Sequence, residues 1–116
     1  MKKTLFIDID GCLIKHRGNL SNIILEKPEL LPGVLEKLNE WEAEGHKIIL
    51  TTGRKESLRK ITEEELFNFG IFYEQLIMGL PRGERIIIND KKPNNDMKTA
   101  SAIEINRNEG LINIKI

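Results

Sequence analysis

Phe6-Ile7-Asp8-Ile9-Asp10-Gly11-Cys12-Leu13 places two carboxylates at the exit of an apolar run and follows them with glycine. The apolar residues continue through the acids, which predicts a buried strand rather than a solvated acidic loop. Residues i and i+2 of a strand share a face, so Asp8 and Asp10 are expected side by side. Two carboxylates held that close repel each other and shift in pKa unless a cation or a bound group engages them. The chemistry this suits is metal-assisted phosphoryl transfer, with one carboxylate as nucleophile and the other as acid and base. An EF-hand calcium loop also begins Asp-x-Asp, but it needs further oxygen ligands, and Gly11-Cys12-Leu13-Ile14 supplies none.

Outward from this octet, apolar strands alternate with helical patterns. Residues 13–31 read as a short flap turning at Arg17-Gly18-Asn19. Pro32 sits where a helix can start, and Val34, Leu35, Leu38 and Trp41 recur at helical spacing until Gly45. Lys47–Thr51 reads as a second strand, and Leu58, Ile61, Leu66 and Phe69 as the apolar stripe of a second helix closed by Gly70. Gln75–Met78, Arg85–Asn89 and Ala102–Ile105 are further candidate strands, and the alternation of Leu111–Ile116 suits a sheet edge. Strands alternating with helices argue an α/β fold with a parallel sheet and right-handed crossovers. In such sheets ligands bind beyond the carboxyl ends of the strands. Three predicted strands end in polar clusters there: Asp8/Asp10, Thr51/Thr52 and Asn89/Asp90.

A chain of 116 residues leaves room for one domain, spanning 1–116. Eighteen basic and eighteen acidic residues cancel, so no net field advertises nucleic acid or an anionic membrane, and neither is expected as a partner. One cysteine, Cys12, excludes an intrachain disulfide framework, and neither CxxC nor Cys/His zinc spacing occurs. With no signal-peptide core or membrane span, a cytoplasmic location is expected.

Asp8-Ile9-Asp10-Gly11-Cys12-Leu13, after an apolar run, resembles the first motif of the haloacid dehalogenase superfamily of phosphohydrolases. The resemblance extends from about Lys3 to Asn106. It implies a Rossmannoid three-layer sandwich with a mostly parallel sheet, here without a cap domain. It also implies that Asp8 attacks phosphorus, forming an aspartyl phosphate, and that Asp10 serves as general acid and base. Ile48-Ile49-Leu50-Thr51-Thr52-Gly53-Arg54 resembles the second motif, implying that Thr52, with Thr51 as the register alternative, donates to a phosphoryl oxygen in a loop shared with Gly11 and Gly53. Arg54 reads as a surface or helix-start residue. Arg85-Ile86-Ile87-Ile88-Asn89-Asp90 resembles the fourth motif, implying that Asp90 joins Asp8 and the Asp10 carbonyl around Mg²⁺, whose preference is for hard oxygens and retained waters.

The third motif departs from the family. Gly79-Leu80-Pro81-Arg82-Gly83 stands where small members carry Gly-Lys-Pro, so Arg82 is the expected cation, with Lys91 or Lys92 in reserve. Capless members act on macromolecular phosphates or on small phosphosugars closed over by a neighbouring subunit. The resulting expectation is a Mg²⁺-dependent phosphatase of a small phosphorylated metabolite such as a sugar phosphate, with a homo-oligomer left open. A phosphoacceptor or Mg²⁺-binding regulatory domain of the receiver type is the alternative, although receivers place their phosphoacceptor after the third strand.

Overall fold

The computed structural model describes residues 1–116, the side chain of Leu20 excepted. Strand β1 (Thr4–Asp8) leads through helix α1 (Leu20–Leu25) and helix α2 (Val34–Ala43) to strand β2 (Lys47–Thr51). A single 3₁₀ turn at Glu56–Leu58 then opens helix α3 (Arg59–Phe69), and strand β3 (Gln75–Ile77) follows. The sheet is parallel, in the order β1-β2-β3, with Phe6 beside Ile49 and Asp8 beside Thr51 and Ile77 across the rows. The α/β expectation therefore holds.

Each helix ends where local chemistry predicts. Asn19 caps α1 by accepting from the Asn22 backbone N–H, which is why the flap turn runs directly into a short helix. Gly70 takes the left-handed conformation that closes α3. Val34, Leu38 and Trp41 of α2 and Leu58 and Leu66 around α3 share one core with Ile48, Leu50 and Leu76 of the sheet.

That core lies on one face of the sheet. The strand order never reverses, and right-handed crossovers between successive strands then carry both helices to the same side. The opposite face, bearing Phe6 and Ile77, stays open, with Phe6 54% and Ile77 37% exposed. The expected buried strand at β1 is consequently only half covered: its pattern alternates exposed and half-buried residues. Within this chain the layers number two, a sheet and one set of helices.

The later strands expected at Arg85–Asn89, Ala102–Ile105 and Leu111–Ile116 do not pair with the sheet. Instead, residues 81–105 form an excursion turning near Pro93 and Asn94, and its two limbs touch through Asn89 Nδ2 donating to the Thr99 carbonyl at 2.8 Å. The chain returns at Ile105, and Leu111 joins the core, so the last residues serve as a plug rather than an edge strand.

Candidate active site

β1 stops at Asp8, and fully buried Ile9 turns the chain inward. The Ile9 carbonyl accepts from the N–H groups of Cys12, Leu13 and Ile14 at 2.9 to 3.2 Å, curling residues 9–14 into a knot closed by Gly11 N–H donating to the Ile14 carbonyl. Gly11 lies in the left-handed region at φ 90°, a conformation glycine adopts freely. This curl corrects the expectation of two acids on one strand face. Asp8 ends the strand and is exposed, whereas Asp10 leaves it and turns toward the β2 exit.

What meets Asp10 there is Arg54. Its Nε donates to Oδ2 at 2.8 Å and its Nη2 to Oδ1 at 2.7 Å, a two-pronged grip that holds the carboxylate in a fixed plane. The same guanidinium reaches Thr62 Oγ1 at 3.0 Å and Glu65 Oε1 at 3.2 Å on α3. Glu65 Oε1 in turn accepts from Arg17 Nη2 of the flap at 2.6 Å. A buried relay of alternating charge thus runs Arg17, Glu65, Arg54, Asp10, from the flap to the β1 exit. Burial works against the charge on Arg54, and the hydrogen bonds and charges of Asp10 and Glu65 outweigh it, raising its pKa.

Arg54 is 4% exposed, so the surface reading of this residue fails. The signal for the relay was in the chain: Thr62 and Glu65 fall on the apolar side of α3 among Leu58, Ile61, Leu66 and Phe69, and a buried glutamate requires a cation. Arg17 Nε is the one buried side-chain polar atom among the described residues without a hydrogen-bond partner.

Asp8 remains reachable from solvent, yet the protein around its carboxyl raises its pKa, desolvation being the largest cause. The Ile9 N–H opposes that shift, Asp10 adds to it, and the charges of Arg85 and His16 oppose it. A carboxyl poised this way at a strand exit is typical of a functional acid or nucleophile. Thr52 is buried at the β2 exit, where its hydroxyl accepts from the Arg54 N–H at 3.1 Å and its own N–H donates to the Ile77 carbonyl at 2.9 Å. Thr51, in the same row as Asp8, is half-buried. Gly53 is exposed, and a Cβ there would come within 3.4 Å of the Leu80 carbonyl.

Arg82 is exposed and makes no side-chain hydrogen bond or ion pair among the described residues. Arg85 is the arginine of this region whose charge acts on Asp8, and its Nη1 ties back to the Pro81 and Gly83 carbonyls at 3.0 and 2.9 Å. Asp90 is exposed, its carboxylate 3.9 Å from the Lys92 ammonium. Lys91 is exposed as well. No group of three or more His, Cys, Asp or Glu residues able to hold a metal forms among the described residues. Asp8 and the Asp10 carbonyl, which accepts no backbone hydrogen bond among the described residues, are two oxygens of the kind Mg²⁺ prefers; the third acid is not brought to them by the same chain.

No family model and no curated protein matches the chain. Two solved structures do. One is a chain of the Pnkp1/Rnl/Hen1 complex, 27% identical, with a TM-score of 0.61, over 74% of this chain and 31% of that one. The other is a chain of the Pnkp1/Rnl/Hen1 RNA repair complex, 29% identical, with a TM-score of 0.60, over 72% of this chain and 28% of that one. The chain therefore spans less than a third of the length of the chains it resembles. This likeness overturns the exclusion of nucleic acid drawn from zero net charge: the similar structures belong to an RNA repair assembly. Net charge averages over the whole surface, and a nucleic-acid site needs only local positive charge. Among the described residues, no helix is long and apolar enough to cross a membrane.

Proposed function

We propose that this chain is a Mg²⁺-dependent phosphomonoester hydrolase working through an aspartyl phosphate on Asp8. The observation that carries the reading is the pairing at one sheet end of a partly desolvated, reachable Asp8 with an Asp10 fixed by Arg54, beside the buried Thr52. Asp8 Oδ attacks phosphorus as the ester P–O bond breaks, and the leaving alcohol takes a proton from Asp10. Water then attacks phosphorus, gives its proton to Asp10, and releases phosphate as the Asp8–phosphorus bond breaks. Bound Mg²⁺ supplies charge neutralisation on the phosphoryl oxygens. Both Asp10 oxygens accept from Arg54, so the arrangement suits the water-activating half of the cycle; for the acid half, one Asp10 oxygen has to leave the Arg54 fork.

A small phosphorylated metabolite such as a sugar phosphate is one substrate class. The RNA repair setting of the similar structures favours a second, the phosphate at an RNA end. Phosphate release from phosphosugars, nucleotides and 3′- or 5′-phosphorylated oligoribonucleotides, measured with Mg²⁺ for wild type and Asp8→Asn, tests the reading. Turnover lost in Asp8→Asn supports it. Wild-type turnover by the variant, no turnover of any substrate, or a stable phosphoprotein that never hydrolyses (the receiver-type outcome) overturns it.

A further inference from the structure

Helix α3 carries a carboxylate on the side it turns toward the core. Glu65 is 6% exposed and Thr62 is fully buried, three residues apart and so on one face. Packing alone does not call for an acid there, since replacing a buried ion cluster by apolar side chains of similar volume is often neutral or stabilising. Glu65 bonds nothing within α3 either. Both of its hydrogen-bond partners among the described residues come from outside the helix, Arg17 in the flap and Arg54 after β2.

The two contacts are unequal. Glu65 Oε1 lies 2.6 Å from Arg17 Nη2 and 3.2 Å from Arg54 Nη2, so Arg17 has the firmer hold on the oxygen that both arginines share. Arg17 is itself anchored on its other side, where Nη1 donates to the Ile23 and Glu26 carbonyls at 3.3 and 3.1 Å around the end of α1. The place of Oε1 is thereby set from the flap. Arg17 Nε stays buried without a partner, a costly state that a side-on fork on Glu65 would relieve. The end-on contact through Nη2 instead keeps Oε1 between the two guanidiniums.

Arg54 is held from behind. Its Nη1 donates to Thr62 Oγ1 at 3.0 Å and its Nη2 to Glu65 Oε1, while Nε and Nη2 grip Asp10. A guanidinium is rigid and planar, so contacts that fix one edge fix the other.

We propose that Glu65 and Arg17 are positioning residues for the hydrolysis: Arg17 places Glu65, Glu65 with Thr62 orients Arg54, and Arg54 holds the Asp10 carboxylate in one plane for its proton transfers. The catalytic role rests on the phosphatase reading above; the mechanical linkage from Arg17 to Asp10 does not. The plain alternative is charge balance, in which Glu65 only neutralises two buried arginines.

The double variant Arg17→Met/Glu65→Met separates the two. It removes one charge of each sign, leaves Arg54 balanced by Asp10, and puts an apolar pair where the ion pair was. Its melting temperature is expected to equal or exceed that of Arg17→Met alone. Positioning predicts a stable but slow enzyme, with kcat lower by about 10–100-fold and KM changed by less than about twofold. Wild-type kcat in the double variant is the charge-balance result and overturns the catalytic role.

A second readout needs no turnover. In chains carrying isotope-labelled arginine, the Arg54 Nε–H signal, identified by its loss in Arg54→Lys, should exchange slowly with solvent while it is bonded to Asp10. Arg17 bonds neither Arg54 nor Asp10, yet Arg17→Met should speed that exchange several-fold, and so should the double variant. An unchanged rate in the folded double variant overturns the linkage, whatever the activity. Faster exchange in a chain that hydrolyses nothing supports the linkage and removes the catalytic role together with the phosphatase reading.

Discussion

Arg54 grips both carboxylate oxygens of Asp10, at 2.8 and 2.7 Å, from a position almost entirely out of solvent. Geometry of this kind is specific to a planar guanidinium; a lysine ammonium is a point charge and cannot span both oxygens. Arg54→Ala strands Glu65 and Asp10 without their shared cation and is expected to cost about 3–5 kcal/mol of stability. Arg54→Lys should lose less stability, yet still lose most turnover, because Asp10 is no longer held in one plane. Denaturant midpoints and rates on the two variants check this, and a fully active, stable Arg54→Ala would refute the assignment.

Glu65 carries the same relay to the flap. Its Oε1 lies 2.6 Å from Arg17 and 3.2 Å from Arg54, with side-chain exposures of 7%, 3% and 1% for the three groups. Glu65→Gln leaves two buried guanidiniums sharing a neutral amide. A double-mutant cycle with Arg17→Met should return a coupling energy of about 0.5–3 kcal/mol, the range for residues in one hydrogen-bond and salt-bridge network. Coupling near zero would mean that the flap is held by packing alone.

The parallel sheet, both crossover helices, the Gly70 cap and the convergence of Asp8, Asp10 and Thr52 on one sheet end were legible because each follows from local periodicity or from a residue at a strand exit. Two things were not. The curl that separates Asp10 from the β1 face depends on the Ile9 carbonyl accepting three N–H groups from the next five residues, a turn that strand alternation does not encode. Arg85–Asn89 has the composition of a central strand, yet it does not pair with the sheet, and composition alone does not fix pairing. Arg54 was misread for a related reason: three residues past a strand it resembles a solvated helix-start arginine until Glu65 of α3 is placed beside it.

The chain end is held by two glycines. Gly110 and Gly33 both lie in the left-handed region, at φ 83° and 73°. A Cβ on Gly110 would run into the Pro32 carbonyl oxygen, and one on Gly33 would come within 2.6 Å of the Ile112 backbone nitrogen. Both faults set a Cβ against backbone atoms, which no rotamer change relieves. Gly110→Ala and Gly33→Ala should each cost on the order of 1–3 kcal/mol. Gly70→Ala, with open space around it, should cost only its conformational share of about 1 kcal/mol. Thermal melts of the three variants rank them, and equal losses would count against the plug formed by the last residues.

Asp8 links stability, pH and metal in one experiment. Its folded-state pKa is raised, with desolvation the largest cause, so relative to the unfolded chain its contribution is favourable in acid and is lost as pH rises through the folded value. At neutral pH the ionised carboxylate is therefore a cost. Asp8→Asn should melt above wild type at neutral pH, and the gap should close below an ordinary carboxyl pKa of about 4. Cys12 reports on the same charge. Burial, and then the charges of Asp8 and Asp10, push its thiol up to about 11, so alkylation by iodoacetamide should be slow at neutral pH. Asp8→Asn removes one of those charges and should speed it. Mg²⁺ held by Asp8 should speed alkylation of the wild type for the same reason and leave Asp8→Asn unchanged. A wild-type rate indifferent to Mg²⁺ would count against Asp8 as a metal ligand, whatever the turnover assays return.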